Sequence, residues 1–580
     1  MIYPTLQEQE TSRQMLDVFG GYDHNLRIAD GSFYDMRNMT SDNYPVLSPR
    51  VKRGLYKTAA SPNGLIAKDN LCYVNGADFV VDKYTVHMGL STAAEDNPKT
   101  LVSMGAYVII LPDRKYINTA NLEDFGNIDA TFTTYGETTF TLCRVDGEAY
   151  GEAEVQPEAP EAPEDLSLWI DTSEATHILK QYSAASSMWV TIATTYIKIY
   201  SPNIGAAFSQ YDGVTISGVT AVDGLNETMA IWERGDDYIV VVGILDAPAS
   251  QTGPVTVSRK MPEMDYITEA GNRLWGCRYG EANNGEIVNE IYASKLGDFK
   301  NWNVFMGLST DSWAASCGTD GVFTGAVTHL GYPVFFKENC MHKVYISSVG
   351  AHQIQDTACR GVQRGCSRSL AIVNETLFYK ARSGVCAYDG ALPSEVSSAF
   401  GNEAYSDAVA GAHGNKYYIS MKDTEGGWNL FVLDTARGLW HREDDHHSEA
   451  FCGCRGELYS IESGTGNIIT MLGSGSEYED DVEWMAESGP LYMSMPDMKH
   501  ISRMNVRMAL ERGSMAEIFI RYDEDGEWLK LFTVWGTNLR SFNVPVRPRR
   551  CDHMRLRIVG KGGGKIYSIT KTIEPGSDVT

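Results

Sequence analysis

The sequence predicts an all-β chain: a β-propeller that carries an inserted small β-module and is followed by a C-terminal antiparallel β-sandwich. The composition indicates many short strands joined by tight turns, because 31 Tyr, 19 Phe and 11 Trp accompany 55 Gly in 580 residues. A turn-and-strand pattern also recurs along the chain. Helix signals are few, and a short helix is expected only near residues 8–19.

The recurring pattern, called the cassette below, is a Gly or Asn turn followed by an aromatic-rich apolar strand. From residue 226 onward, successive cassettes begin 40 to 59 residues apart, close to the period of about 40–50 residues per propeller blade. One four-stranded sheet cannot cover both of its faces, whereas blades stacked side by side bury each other. A chain of separate β-sandwiches remains the alternative. The eight cassettes begin at residues 70, 105, 226, 272, 331, 374, 414 and 456.

One interval breaks the period, because 121 residues separate the cassettes at 105 and 226. An inserted β-module is therefore expected over residues 120–205, with strand-rich stretches at 131–144 and 188–200. Between them, the acidic Pro/Ala run 156–164 is expected to form an extended connection, since repeated proline removes hydrogen-bond donors.

The remaining domain boundaries follow from changes in the pattern of predicted strands and turns. Residues 1–54 are expected to form an N-terminal arm and the first strands, and residues 55–475 the propeller. Alternating strands joined by glycine turns predict the β-sandwich over residues 478–580.

Charge and composition exclude several classes of protein. The formal net charge of −26 argues against tight binding of nucleic acid or of an anionic membrane. The first residues lack the basic flank and apolar core of a signal peptide, and no apolar run reaches the roughly 18–20 residues of a membrane span. The chain is therefore expected to fold in a cytoplasm without a membrane anchor, its 11 cysteines acting mainly as buried thiols.

A histidine and cysteine cluster is the first candidate for chemistry. His441, His446, His447, Cys452 and Cys454 lie within fourteen residues, and imidazole and thiolate are the usual zinc ligands. The single residue between the two cysteines is fewer than the two to four that structural zinc sites use. The sequence therefore favours a polar loop followed by packed thiols, and no metal.

The hairpin signal at Asp523, Asp525, Gly526 and Trp528 is the second candidate. It faintly resembles a calcium loop and the Asp-box of propeller glycosidases, but the Gly–Trp spacing is one residue short and no Glu stands at the twelfth position of the loop. A solvated hairpin turn is expected here.

An arginine trio is the third candidate. Arg360, Arg364 and Arg368 lie close together between two cassettes, and a sialidase-type site uses several arginines. A solvated or interface loop is favoured, and the sequence has no nucleophile elbow, Walker loop or zinc-protease motif. The sequence thus predicts no catalytic residue, no cofactor and no metal ligand, and the chain is expected not to be an enzyme.

Several short sequence segments, called phrases below, resemble segments of bacteriophage tail structural proteins. Gly271-Asn272-Arg273-Leu274-Trp275-Gly276 opens one of them, and Leu377-Phe378-Tyr379-Lys380 opens another. The phrases follow one another in order from about residue 19 to residue 400. The others stand at 19–22, 33–39, 45–50, 291–294, 297–302, 333–339, 343–345 and 383–390.

The family that these phrases resemble is the propeller-containing tail tubular or nozzle proteins of short-tailed phages, which include the tail stabilisation proteins. The resemblance implies a homohexameric ring at the distal end of a virion's tail, forming part of the DNA ejection channel and docking an adaptor, fibres or a plug. An acidic wall would let DNA pass without tight binding. The alternative is a receptor-binding or glycan-active, depolymerase-like propeller at the tail tip. The inserted module and C-terminal sandwich depart from the family.

Overall fold

The computed structural model describes residues 11–94, 98–282, 285–491, 498–523 and 526–575. The chain divides into two compact units. The first unit comprises residues 1–100, 336–341 and 357–580, and the second comprises residues 101–335 and 342–356. No helix among the described residues has the length and apolar character needed to span a membrane.

The chain is an all-β protein of the β-propeller class, as the sequence predicts. Blades 1 to 6 are four-stranded sheets whose strands follow chain order, and all blades are numbered here along the chain. Blade 1 contains Pro62–Ala67, Leu71–Asn75, Asp78–Val81 and Tyr84–His87. Blade 5 contains Ala371–Val373, Thr376–Lys380, Val385–Tyr388 and Ser394–Glu395. Blade 6 contains Tyr405–His413, Lys416–Asp423, Trp428–Asp434 and Leu439–Arg442.

Blade 7 is completed by a strand from the start of the chain. It contains Ser448–Cys454, Glu457–Glu462 and Asn467–Thr470, and Gly54–Thr58 pairs antiparallel with the last of these. The short strand Ser476–Glu477 pairs with the other side of Gly54–Thr58. The first strands of blades 5, 6, 7 and 1 are neighbours in that order within the first unit.

The second unit holds blade 3 and all of blade 2 except Thr100, and blade 4 has residues in both units. Blade 2 contains Thr100–Met104, Tyr107–Leu111, Lys115–Asn118 and Asn121–Asn127. Blade 3 contains Tyr266–Ala270, Arg273–Glu281, Ile287–Ala293 and Trp313–Ser316. Blade 4 contains Gly325–His329, Tyr332–Lys337, Cys340–Tyr345 and Gln353–Ala358.

Seven of the eight cassettes form the turn and second strand of a blade. The turns need left-handed backbone, which Gly414 and Gly456 adopt without a Cβ clash and which Asn272 and Asn374 tolerate. The second strands are apolar along most of their length because both of their faces are covered. The eighth cassette, at 226–232, is different: its strand Thr228–Ala230 pairs with Gly213–Ser217 outside the blades.

The inserted strands run further than the 120–205 expected from the sequence. Asn121–Asn127 is the last strand of blade 2, and the inserted sheets continue to Thr256–Arg259 because that strand pairs with Ala130–Thr133. The first inserted sheet contains Ala130–Thr133, Thr256–Arg259, Gly213–Ser217 and Thr228–Ala230. The second contains Glu233–Gly235, Tyr238–Val242, Tyr196–Tyr200, Thr138–Cys143 and Ala249–Gln251. The third contains Ala153–Gln156, Leu168–Asp171, Ile178–Ser183 and Met188–Thr191.

The C-terminal β-sandwich is built around the long strand Lys499–Tyr522. Its first half pairs with Gly564–Pro575 and its second half with Met554–Lys561, so this one strand joins both of them in a single hydrogen-bonded sheet. Buried and less buried side chains alternate along most of this strand, as expected when one face meets a core. The other strands are Glu483–Ser488, Leu529–Val544, Ser12–Leu16 and Phe33–Arg37.

The N-terminal residues also differ from expectation. The short helix expected near 8–19 is wrong where it is described, because Ser12–Leu16 is a strand paired with Gly564–Pro575. The residues up to 10 lie outside the described part of the chain. Met39–Thr40 pairs with Ser48–Pro49, and short 3-10 turns occur at Ser367–Ser369 and Ser398–Phe400.

Candidate functional site

Three neighbouring first strands carry a β-bulge near their start. The register shifts between Ser406 and Val409 in blade 6, between Ser448 and Ala450 in blade 7, and between Asn63 and Leu65 in blade 1. A bulge bends the strand and re-aims the side chain beside it, and bulges are over-represented next to active sites. Repetition of the same irregularity in adjacent blades therefore marks this end of the first strands as a candidate site.

The bulges open onto one cleft of about 520 Å³, and all of its lining residues belong to the first unit. Polar and aromatic side chains from blades 1, 6 and 7 and from the turn before blade 5 converge on it, as in ligand sites that combine an apolar surface with a few polar groups. The lining side chains able to contact a ligand are Asn63, Arg368, Asp407, Trp428, His447 and Glu449.

An aromatic stack forms one wall of the cleft. The rings of Trp428 and His447 lie parallel, with centroids 3.6 Å apart and an interplanar angle of 12°. Both side chains are half-buried, so part of the stack faces the cleft. Burial lowers the pKa of His447, which keeps its imidazole neutral near neutral pH and makes the wall an uncharged, flat surface.

Two carboxylates come from the bulges of blades 6 and 7. Asp407 is exposed and adopts a left-handed backbone with φ 46°, an uncommon conformation for a residue with a Cβ and one that clusters at functional sites. Glu449 is half-buried, and its Oε1 accepts a hydrogen bond from Ser463 Oγ at 2.8 Å. This bond fixes the Glu449 side chain.

Arg368 supplies the positive charge of the cleft. One of its terminal nitrogens donates to the main-chain oxygen of Glu449 at 2.6 Å. The guanidinium is thus held against the backbone of Glu449 in a cleft that Asp407 and Glu449 also line, and within the described residues it forms no ion pair with either carboxylate. Asn63 faces the same cleft, and its Oδ1 accepts the main-chain N–H of Lys99 at 2.9 Å.

The structure separates the residues of the histidine and cysteine cluster. His441 is buried in blade 6, and His446 shares a 2.9 Å hydrogen bond with Ser460 Oγ. Cys452 and Cys454 pack with an apolar cluster of blades 1 and 7, where burial raises the pKa of Cys452 to about 12. Only His447 reaches the cleft, and the described residues contain no group of three or more side chains placed to hold a metal ion.

The arginine trio is also divided. Arg360 pairs with Glu395 at 2.7 Å, and the main-chain N–H of Arg364 donates to Glu338, so only Arg368 belongs to the cleft.

The hairpin signal lies far along the chain in the sandwich. Asp523 Oδ1 accepts the main-chain N–H groups of Asp552 and His553. Trp528 lies beneath the guanidinium of Arg557 at 4.1 Å. Asp525 lies outside the described residues. The Asp523 carboxylate therefore ties the hairpin to the distant segment around Asp552 and His553.

Sequence reasoning did not single out Asn63, Asp407, Trp428 or Glu449. A signal for three of them was present: Asn63, Asp407 and Glu449 each stand seven residues before a cassette, which begin at 70, 414 and 456. The repeat therefore places them at the same point of successive blades. The bulges that turn them toward the cleft interrupt the two-residue alternation, so no strand pattern predicts their direction.

No protein-family profile matches the chain, and no curated protein matches it. Solved structures do match at low identity. An exo-β-1,3-galactanase from Phanerochaete chrysosporium, solved with galactose, is 10% identical, covers 53% of this chain and 94% of its own, and has a TM-score of 0.20. A GH43 glycoside hydrolase engineered to display both endo-xylanase and exo-arabinofuranosidase activity is 8% identical over 54% and 97%, with a TM-score of 0.20. An acylaminoacyl peptidase from Pyrococcus horikoshii is 9% identical over 49% and 47%, with a TM-score of 0.24.

These comparisons contradict the expectation that the chain is not an enzyme, because the similar structures include several glycoside hydrolases. That expectation is withdrawn. TM-scores of 0.20 to 0.24 assign neither a substrate nor a reaction to this chain, so its activity is argued from the cleft itself.

Proposed function

We propose that the protein is a glycan-active β-propeller that binds a saccharide in this cleft and hydrolyses a glycosidic bond there. The observation that carries the proposal is the convergence of Asp407 and Glu449, from bulges of adjacent blades, beside the Trp428–His447 stack. Most glycoside hydrolases use a pair of carboxyl groups that flank the scissile bond.

Each part of the cleft has a role in this proposal. The flat Trp428–His447 stack packs against the apolar face of a sugar ring, because a large aromatic surface buries C–H groups while leaving hydroxyls free. Arg368 and Asn63 donate hydrogen bonds to sugar hydroxyls. These contacts hold the glycosidic oxygen near the two carboxyl groups.

The reaction uses the two carboxyl groups in opposite senses. One gives its proton to the leaving glycosidic oxygen, and the C–O bond to the anomeric carbon breaks. The other accepts a proton from the water whose oxygen bonds to that carbon, so one water is consumed for each bond cleaved. Asp407 and Glu449 are the proposed pair.

The test is incubation of the full chain with a panel of neutral and acidic bacterial surface polysaccharides, followed by measurement of new reducing ends. We expect Asp407→Asn and Glu449→Gln to lower the rate by about 100-fold or more, the usual loss when an acid or base is removed. Trp428→Ala should weaken binding of the polysaccharide that is cleaved.

The matched control is Glu425→Gln, which removes an exposed carboxylate on blade 6 that does not line the cleft. Its rate should equal that of the parent chain. The proposal fails if no polysaccharide is cleaved, or if cleavage survives both Asp407→Asn and Glu449→Gln.

A place at the tip of a bacteriophage tail is a second proposal. The ordered phrases between about residues 19 and 400 support it. Mass spectrometry of purified particles of the phage that encodes the chain should detect it in the tail. Particles that lack the chain while carrying all other tail proteins would contradict this placement.

A further inference from the structure

The C-terminal part of the chain has a charge opposite to that of the rest. Residues 499–580 contain 15 Lys and Arg against 9 Asp and Glu, whereas residues 1–498 contain 34 against 66. The stretch 529–550 holds five Lys and Arg and no acidic residue. Basic charge concentrated on one segment of an acidic chain indicates an acidic partner for that segment.

Two of these basic residues, Lys530 and Arg540, belong to an edge strand of the sandwich, and the other three follow that strand. Leu529–Val544 pairs with Lys499–Tyr522, and within the described part of the chain no strand pairs with its outer edge. Such an edge presents a row of unpaired N–H and C=O groups that serves as a template for another strand. Residues 540–544 pair one by one with residues 504–508, and the register shifts between this run and Thr537. This half therefore offers a regular edge over five residues.

Apolar groups lie beside this half of the edge. A cleft of about 600 Å³ adjoins it, lined by Thr537, Leu539, Leu510, Val51 and Val482 among others. Leu539 and Val51 are exposed, at 44% and 53%. In strand addition, main-chain hydrogen bonds give affinity while pockets beside the edge take alternate side chains, and this cleft is placed for that use.

We propose that the outer edge of Leu529–Val544 binds an acidic, extended peptide segment of a partner protein by strand addition. A peptide backbone supplies both the donors and the acceptors that a strand edge requires, whereas a nucleic-acid backbone supplies mainly acceptors. Acidic side chains on the added strand face Arg540, which is exposed, whereas Lys530 already pairs with Glu517 of the neighbouring strand. The proposal is independent of the saccharide cleft.

The test is fluorescence anisotropy of the full chain with a labelled eight-residue peptide in which Glu and Val alternate. We expect saturable binding that Arg540→Glu weakens by about tenfold, since reversing one charge at an interface costs on the order of 1.4 kcal/mol. The matched control is Lys83→Glu, the same charge change at an exposed position of blade 1, which should leave the affinity within about twofold of the parent's.

Peptides methylated on alternate main-chain nitrogens separate strand addition from simple charge attraction. Methylation of the nitrogens that face the edge should abolish binding, whereas methylation of the other set should leave it intact, because only one side of an added strand donates to the sheet. Equal binding of both methylated peptides, or equal affinity in Arg540→Glu and the parent, would overturn the proposal. So would tighter binding of an oligo-dT strand, or self-association of the chain that Arg540→Glu abolishes.

Discussion

Buried histidines are the residues whose ionisation most clearly depends on the fold. Burial and the nearby Arg53 guanidinium lower the pKa of His446 to about 3, and burial and Lys416 lower that of His441 to about 4. Both imidazoles are therefore neutral in the folded chain near neutral pH. The backbone conformation of Asp407 also depends on the fold, because its left-handed φ lies within the bulge of blade 6.

These histidines predict loss of stability in mild acid. A folded pKa below the unfolded value of about 6.5 means that unfolding takes up protons. The free energy of unfolding therefore keeps its full value above about pH 6.5 and decreases as the pH falls toward the folded pKa values. The slope is about 1.4 kcal/mol per pH unit for each such histidine. Chemical denaturation of His446→Gln between about pH 7 and pH 5 should show a smaller loss than the parent.

The control for this prediction is His87→Gln, which removes an imidazole that is 84% exposed and, among the described residues, has only a surface contact, with Asp78 at 3.0 Å. Its free energy of unfolding should follow the pH curve of the parent. A His446→Gln curve parallel to that of the parent would contradict the assigned role of His446.

At the scale of elements, the strand Gly54–Thr58 joins the start of the propeller to its last blade. It lies between Asn467–Thr470 and Ser476–Glu477, so both of its edges are paired. Arg53, just before it, is buried and forms ion pairs with Glu443 and Asp444. The strand is thus fixed by hydrogen bonds along its length and by charge at its start.

Leu55→Pro should lower the free energy of unfolding by at least about 2 kcal/mol, because proline removes a donor from a strand that is paired on both sides. Leu55→Val, which keeps the N–H group and an apolar side chain, should cost less than about 1.5 kcal/mol. Denaturant titration followed by tryptophan fluorescence measures both. Equal stability of the two variants would show that this strand is dispensable for the fold.

At the scale of the whole molecule, the inserted segment begins and ends at neighbouring points of the structure. The main-chain N–H of Met261 donates to Asp129 at 2.8 Å, so the two ends of the inserted sheets are adjacent. A buried link ties the insertion to blade 3: Asp212 pairs with Arg259 and accepts the amide of Asn301 at 2.8 Å.

Replacement of residues 130–259 by a short Gly/Ser linker should give a folded chain, because the adjacent ends need little rearrangement. In the intact chain, Asn301→Ala leaves buried Asp212 and the main-chain N–H of Gly213 without this partner and should cost about 1–3 kcal/mol. Circular dichroism and denaturant titration measure this, with Asn301→Ala in the parent chain as the control for the link alone. A deletion variant without cooperative unfolding would contradict the prediction.

The sequence by itself predicted the fold class, because turn residues and apolar strands repeat at a period close to that of propeller blades, which favoured stacked four-stranded sheets over separate β-sandwiches. It also determined the cassettes, seven of which became the turn and second strand of a blade. The eighth cassette, at 226–232, was wrongly predicted to belong to a blade, because an apolar strand after an Asn turn has the same local pattern in any sheet. The local sequence pattern thus predicted which residues form strands but not which strands pair with each other.

Only the tertiary structure decided which side chains meet. His446 and His447 are adjacent in sequence, yet one bonds Ser460 in the interior while the other stacks on Trp428 at the cleft. Asp407 and Glu449 lie 42 positions apart and converge because bulges of neighbouring strands turn them the same way. Register and bulges arise from pairing between distant segments, so the site was set by long-range contacts that no local pattern encodes.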